Sequence, residues 1–596
     1  MIEDVLPPGD VPPEEIQWAN KIVCEAFSDM FRSIIGPIAS KKMLTRDMTK
    51  EEVVDLVSSS GYTILKELRY DHPTADILIS AGISLGDDIG DGVATMMVLL
   101  GELVRNGFEL RAMGVHQNTI SRGYNMALDH VLDVLDDICI EFSEIRENRI
   151  LRDVARTALK KSDYWSEDAL AEVVVEAIKR ISDSCGNGAD GAGEELLIDV
   201  DDVLIEAKSG GAVKETRLLD GVLIDREVLD DLPTEMENAR IALLDFPIEH
   251  WEPERTTGRK APKEEFVRKR SKAGETLGAL GFTLKIRDPN AIKAFYEKRR
   301  ELFEDMIKPI IASGANVVCC RWGIDDEAID LFRDNGIMAM KRVKFTDLQR
   351  LERATGAKIV KKSDELSEDK LGYAGKVVQR DLSGVKYVFF EDCPHKKACA
   401  ILIRGVSDRV LEGIVGEVRS ALNAVARCVE DPRVIPGGGA VEVECAVRLR
   451  KYARSIPRKE QFAIEAFADA LESIPNAIAK NCGMDMIDTI TALRAAHASG
   501  KKYAGISAVE GEIVDDVFER GIVDPLVVKE QAFIAATEGA IQMIRIEDLH
   551  IAKSEVEKEA EDIEAKIAGR TKEWIMKERR AKLRAHRKIK RGRLKY

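Results

Sequence analysis

Residues 88–99 read DIGDGVATMMVL, a carboxylate pinched between two glycines and followed at once by an apolar run of helical texture. Gly90-Asp91-Gly92 suits either a tight turn or a place where backbone approaches a phosphate and a carboxylate holds the metal ion. Glycine loops that feed a helix N-terminus present unpaired N–H groups and the positive end of the helix dipole, which suits phosphate oxygens. Asp91 has the chemistry for Mg2+, which takes one or two carboxylates plus phosphate oxygens. Three more small-residue loops precede helical segments: Gly36-Pro37-Ile38-Ala39, Pro436-Gly437-Gly438-Gly439-Ala440 and Asn481-Cys482-Gly483-Met484-Asp485. Each alone reads equally as a helix-joining turn, and no Walker-type GxxxxGK[ST] occurs. Their order along the chain says more than any one of them.

At 596 residues the chain exceeds what one core holds, so two to four domains are expected. Hydrophobic residues at 45% and charged residues at 33% describe a helix-rich globular protein rather than a disordered one. Aromatics make up only 5%, so the cores must be built from Ala, Val, Ile and Leu. No apolar run approaches bilayer length, and the start, MIEDVLPPGDVPPEE, is acidic and Pro-rich, so a cytoplasmic protein without membrane contact is expected. Ten scattered cysteines form no disulfide framework and fit a reducing compartment. Cys393, His395 and Cys399 of CPHKKAC lack the second pair that a zinc site needs. The net charge of −16 is uneven. Gly569–Tyr596 holds 13 Lys or Arg against two Glu, a local excess of 11 positive charges, which leaves −27 on the preceding 568 residues.

Glu14 to Ile35 reads as an amphipathic helix ending at Gly36-Pro37, and helical texture runs from Thr49 to about Phe142 with breaks at Ser58–Gly61 and Gly86–Gly92. Residues 183–196, DSCGNGADGAGEEL, form a hinge-like connection, and LLIDVDDVLIEAK and GVLIDREVL read as strands. Between about 217 and 372 strand and helix alternate, an α/β unit with its own sheet, in which the vicinal Cys319-Cys320 belongs to a buried strand. Helical texture returns from about 405, and 553–596 reads as a charged helix. The two ends are alike and the middle differs, which predicts a nested, discontinuous layout.

In this order, GPIASKKML, TILKELRYDHPTADIL, GDGVATMMVLLGELV, PRVIPGGGAVEVE, KEQFAIEAFADALESIP, NCGMDMID and GIVDPLVVKEQAFIAATEGAIQMIRIEDL resemble group II chaperonins, the archaeal thermosome and its eukaryotic cytosolic relatives, from about Ile16 to Ile551. The resemblance implies a multidomain α+β chaperonin fold. Its helical equatorial ATP-binding domain comprises 1–148 and 431–552, and its hinge-like intermediate domain 149–216 and 373–430. An α/β apical domain takes 217–372, with an enlarged protrusion at about 248–286, and a basic tail follows at 553–596. Also implied are a homo- or hetero-oligomeric double ring of chaperonin subunits, unfolded protein clients, and ATP with Mg2+ as cofactors. The family's nucleotide loops fall on Gly36, Pro37, Asp91, Gly92, Thr95, Gly437, Gly438, Gly483 and Asp524. By the same resemblance Asp91 holds the metal and Asp524 meets the ribose hydroxyls.

The departures concern hydrolysis. Ser60, in Ser59-Ser60-Gly61-Tyr62-Thr63-Ile64, stands at one catalytic aspartate of the family, and Ser420, counted back from Pro432, at the second. Val93-Ala94 precedes Thr95 where relatives carry a threonine pair, and Ala39 replaces a loop glycine. A serine hydroxyl has no charge with which to draw a proton from water, and losing such a group costs roughly 10²–10⁴ in rate. The expectation is therefore nucleotide binding with impaired hydrolysis, and no side chain is assigned a catalytic role. A shifted register would instead bring in Asp55 or Glu417. A mixed ring would let active paralogues supply turnover. The alternative is a holdase or scaffold independent of nucleotide, using the insert at 249–286 and a tail whose charge suits acidic clients or RNA.

Overall fold

The computed structural model describes residues 13–45, 55–70, 72–142, 148–159, 167–186, 198–210, 216–219, 221–249, 289–382, 384–394, 399–405 and 408–546. Nearly all of the enlarged insert, most of the hinge-like stretch, His395 and the basic tail lie outside the described residues. The chain separates into two compact units, one of Met1–Ile22 with Arg545–Tyr596 and one of Val23–Ile544.

The first helical block contains α1 (Pro13–Arg32), a ribbon of β1 (Lys42–Thr45) and β2 (Asp55–Ser58), α2 (Gly61–Glu67), α3 (Pro73–Asp88), α4 (Val93–Ala112), α5 (Gln117–Ile138) and β3 (Ile140–Glu141). Every residue of α4 from Met96 to Val104 is buried, as an all-round apolar helix requires. The one acid among them, Glu102, is neutralised by Arg32 and Arg105. Gly101 lets α1 cross α4 closely, since a Cβ there would stand 2.4 Å from the Ser28 side chain and 2.7 Å from the Cys24 carbonyl.

The second block joins α6 (Asn148–Ala158), α7 (Glu167–Gly186), β4 (Val203–Ser209) and β5 (Arg217–Leu219) to elements from much later in the chain. The middle of the chain forms a seven-stranded sheet. It is built from β6 (Gly221–Ile224), β7 (Glu235–Leu244), α8 (Pro289–Ala312), β8 (Val317–Cys320), α9 (Asp326–Asp334), β9 (Met338–Met340), α10 (Phe345–Thr355), β10 (Ile359–Val360), β11 (Gly372–Leu382) and β12 (Val385–Glu391). Its order is β6-β12-β11-β7-β8-β9, with β10 beside β7. β7, β8 and β9 run parallel, in register Ile241↔Val317 and Val317↔Met338. Parallel strands need helical crossovers and are buried on both faces, so they read as unbroken apolar runs. VVCC is one: Cys319 and Cys320 are fully buried, as the sequence predicts. The antiparallel half was not legible in the strand–helix alternation; residues 372–391 supply it, Val388 pairing with Ile224.

The chain then returns through β13 (Cys399–Gly405) and α11 (Asp408–Glu430). β13 lies parallel to β4 and antiparallel to β5. Leu151, Val154, Ile178, Ile401, Leu422 and Val425 share one core there, so segments more than two hundred residues apart close the second block. The last block is β14 (Arg433–Pro436), α12 (Ala440–Ala453), α13 (Glu460–Leu471), α14 (Ser473–Asn481), α15 (Met486–Ala498), β15 (Gly505–Ser507), β16 (Glu512–Val514), β17 (Val523–Pro525) and α16 (Leu526–Arg545). β14 sits between β17 and β3, pairing Val434 with both Pro525 and Ile140. The Tyr124 and Phe467 rings meet edge-on at 5.8 Å. Early and late helices thus pack together, with the α/β segment lying between them in the chain. Among the described residues, no helix is long and apolar enough to cross a membrane.

Candidate functional site

A cavity of about 470 Å3 opens where the glycine loops converge. That volume lies in the range of small-ligand sites. Two helices begin at its edge. Gly92 caps α4 and Gly439 caps α12, at φ 85° and 80°, and neither offers a side-chain cap. The first N–H groups of a helix have no partner within it, and the helix dipole adds to their positive field. Val93, Ala94 and Thr95 of α4 line the cavity beside Gly90, Asp91 and Gly92. Gly90 also stands at φ 87°, a backbone state that L side chains rarely adopt. Asp91 accepts the Gly92 N–H through Oδ1 at 2.8 Å, which fixes its carboxylate beside these donors.

Gly36 and Pro37 reach the cavity because a side chain from the far end of the sequence ties down the end of α1. Asn481 Nδ2 donates to the carbonyls of Arg32 at 2.9 Å and Ile35 at 2.8 Å. This is how the fourth glycine loop contributes, since Gly483 itself does not line the cavity. Gly483 turns the chain after α14, its N–H meeting the Lys480 carbonyl at 3.1 Å. Gly437 is likewise set back, donating to Ile522 O at 2.9 Å, while Gly438 and Gly439 face inward. Asn481→Ala removes both bonds and should lower stability by about 1–2 kcal/mol; urea unfolding checks this, and an unchanged midpoint would show that the loop holds its shape unaided.

Asp524 lies at the inner end, on β17, with Lys529 Nζ 3.5 Å from its Oδ2 and 2.7 Å from Glu442 Oε1. Glu442 is wholly buried. Burial pushes the Asp524 carboxyl above its ordinary range, and Lys529 partly offsets this. Burial alone would lower the Lys529 ammonium, but Glu442 and Asp524 beside it hold it above its usual range. At the rim, Arg520 donates to Glu510 Oε1 at 2.7 Å, and Arg156 is paired with Asp153 and Asp168.

Ser60 and Ser420 both line the cavity, together with Gly36, Pro37, Asp91, Gly92, Thr95, Gly438 and Asp524. Ser60 serves as N-cap of α2, its Oγ accepting from Thr63 N at 3.4 Å. The sequence reading puts two serines on this wall; the structure adds a carboxylate to it. Glu417, three residues before Ser420 on α11, lines the same cavity, and Ser59 Oγ donates to its Oε1 at 2.6 Å. The gapless count brings in Ser420 and leaves Glu417 as the product of a shifted register; both line the cavity. The i,i+3 spacing that puts two side chains on one helix face was the available signal. Lys529 and the loop Ile506–Glu510 were also missed, and no local motif marks them. Cys393 and Cys399 belong to no group of three possible metal ligands among the described residues.

An α/β insert carried on a helical body whose two halves meet at a cavity edged by glycine loops defines a chaperonin-type subunit, with a multidomain α+β fold. The TCP-1/cpn60 chaperonin family pattern matches residues 27–277 and 276–554, and the chain belongs to that family. It is 38% identical over 541 residues to a thermosome subunit of Methanopyrus kandleri, covering 90% of this chain and 92% of that one. A thermosome subunit of Methanocaldococcus jannaschii is 37% identical over 543 residues, at 90% and 93% coverage. The open-state monomer of a group II chaperonin from Methanococcoides burtonii matches with a TM-score of 0.54 and 33% identity, over 77% of this chain and 100% of that one. The chain is therefore a group II chaperonin, of the class that assists protein folding.

Proposed function

We propose that this chain is an ATP- and Mg2+-binding subunit of a cytoplasmic double-ring chaperonin that binds and encloses unfolded protein clients. The carrying observation is the convergence of two helix N-termini without side-chain caps, α4 and α12, on one cavity beside Asp91. Backbone donors with a single carboxylate among them are the set that Mg2+ and phosphates take together, so the residues present fit both. Asp91 would hold the metal, whose chemistry there is to offset phosphate charge. Gly36, Gly92, Thr95 and Gly438 would surround the phosphates, and Asp524 would accept the ribose hydroxyls.

We assign this subunit three tiers. The shared helical core of the two chain ends is the ATP-binding tier, and the block around α6, α7 and α11 is the hinge. The seven-stranded sheet is the client-binding tier, running on to Glu391. The test is a purified preparation imaged for rings, titrated with ATP with and without Mg2+, and given a denatured client. Double rings, Mg2+-dependent binding and ATP-dependent release of folded client are expected. Client retention that ignores ATP would replace this reading with that of a nucleotide-independent holdase.

A further inference from the structure

We propose that Glu417 is the catalytic base of ATP hydrolysis in this chain, the carboxylate having moved one helical turn back from the place held by Ser420. The inference rests on the ATP-binding reading above and adds the residue that performs the chemistry.

Four acidic side chains line the cavity: Asp91, Glu417, Glu510 and Asp524. Three are committed elsewhere. Asp91 sits against the Gly92 N–H among the backbone donors, where the metal belongs. Asp524 faces Lys529. Glu510 is paired with Arg520 and accepts the Ser507 hydroxyl at 3.0 Å. Among the described residues, Glu417 has a hydroxyl partner, Ser59, and no cation. Its charge is therefore not spent on an ion pair. A hydroxyl donating to Oε1 orients the carboxylate and leaves Oε2 to accept a proton from water.

The local sequence explains how a glutamate comes to stand there. At 1.5 Å rise per residue, Glu417 lies about 4.5 Å along α11 from Ser420 and on the same face. Its side chain is one methylene longer than an aspartate, which recovers part of that distance. α11 also lies unusually close to its neighbours on this side. A Cβ on Gly413 would stand 2.9 Å from the Val57 carbonyl, and one on Gly416 3.0 Å from Thr63 Oγ1. Glycine inside a helix is unfavourable relative to alanine, so two of them in one turn need a packing reason. Here it is the approach of α11 to β2 and α2, which brings Glu417 within reach of Ser59.

The step balances as follows. A water held between Glu417, Ser60 and Ser420 forms its new P–O bond at the terminal phosphorus. The bond from that phosphorus to the β–γ bridging oxygen breaks, and ADP departs with the electron pair. The water proton passes to Glu417 Oε2, and from there to solvent. Positioning and electrostatics dominate such transfers, and the serine hydroxyls supply the first while Glu417 supplies the second.

Glu417→Gln keeps the shape and removes the charge. Phosphate release under saturating Mg-ATP should fall on the order of 10²–10³-fold, with ATP affinity within about twofold of the parent and rings intact by electron microscopy. A Glu417→Gln protein that releases phosphate at the parent rate overturns the proposal. So does a parent that binds Mg-ATP but releases no phosphate, and in that case the binding reading still stands. A parent that binds no ATP defeats that reading and this one with it.

Discussion

Asp91→Ala should abolish Mg2+-dependent nucleotide binding and lower ATP hydrolysis on the order of 10³-fold, or ~4 kcal/mol of transition-state stabilisation. The carboxylate stands between Gly90 and Gly92, both held in left-handed backbone states, and its Oδ1 is anchored to the Gly92 N–H. Alanine is smaller than aspartate, so the backbone donors at the start of α4 survive while the carboxylate proposed to hold the metal is lost. That separates two contributions. Residual ATP binding in Asp91→Ala should match binding of the parent in excess chelator, because both retain the helix N-termini and lack the ion. Titration with and without Mg2+ measures it directly. If the variant keeps the parent's Mg2+ dependence, another side chain holds the metal, and the assignment of this cavity must be redrawn.

The second large effect is on stability rather than turnover. Lys529→Met should destabilise the helical body by about 3–5 kcal/mol, because it leaves a buried carboxylate with no counter-charge. Glu442 has no exposure to solvent, and among the described residues its Oε2 has no hydrogen-bond partner. Removing the ammonium 2.7 Å from Oε1 strands the whole group. Most of the loss should return in the double variant Lys529→Met with Glu442→Gln, since the penalty comes from the orphaned charge and not from a missing attraction. Urea unfolding followed by circular dichroism distinguishes the two proteins. A single variant as stable as the parent would mean that water reaches Glu442, and the cavity floor would then be wetter than described.

Much of the site was legible because glycine in a left-handed turn before a helix is a local property. Gly36, Gly92 and Gly438 follow from φ values that few other residues adopt, and short-range pattern is enough to find them. Ser60 and Ser420 were also locatable, since one adjoins the GYTILKEL stretch and the other lies a gapless twelve residues before Pro432. Gly483 shows the limit of that method. Its loop has the right texture, yet the contribution to the cavity comes from Asn481, whose amide reaches back across the fold to the carbonyls of Arg32 and Ile35. Nothing in a window of sequence tells which residue of a turn faces a partner 446 positions away.

Glu417 makes the same point more sharply. Its identity is on the page, and its helix is plain from the spacing of Val418, Leu422 and Val425, all buried. Which face of that helix looks into the cavity depends on how α11 lies against β2 and α2, a packing contact between segments some 350 residues apart and controlled by Gly413 and Gly416. Helix, strand and turn arise from neighbours along the chain, so the amino-acid order alone determined most of the helices, the parallel strands and the family, while the antiparallel strands at 372–391 emerged only in the folded chain. The company a carboxylate keeps arises from neighbours in space, so only the folded chain decided that a charged group stands where the aligned positions hold two serines.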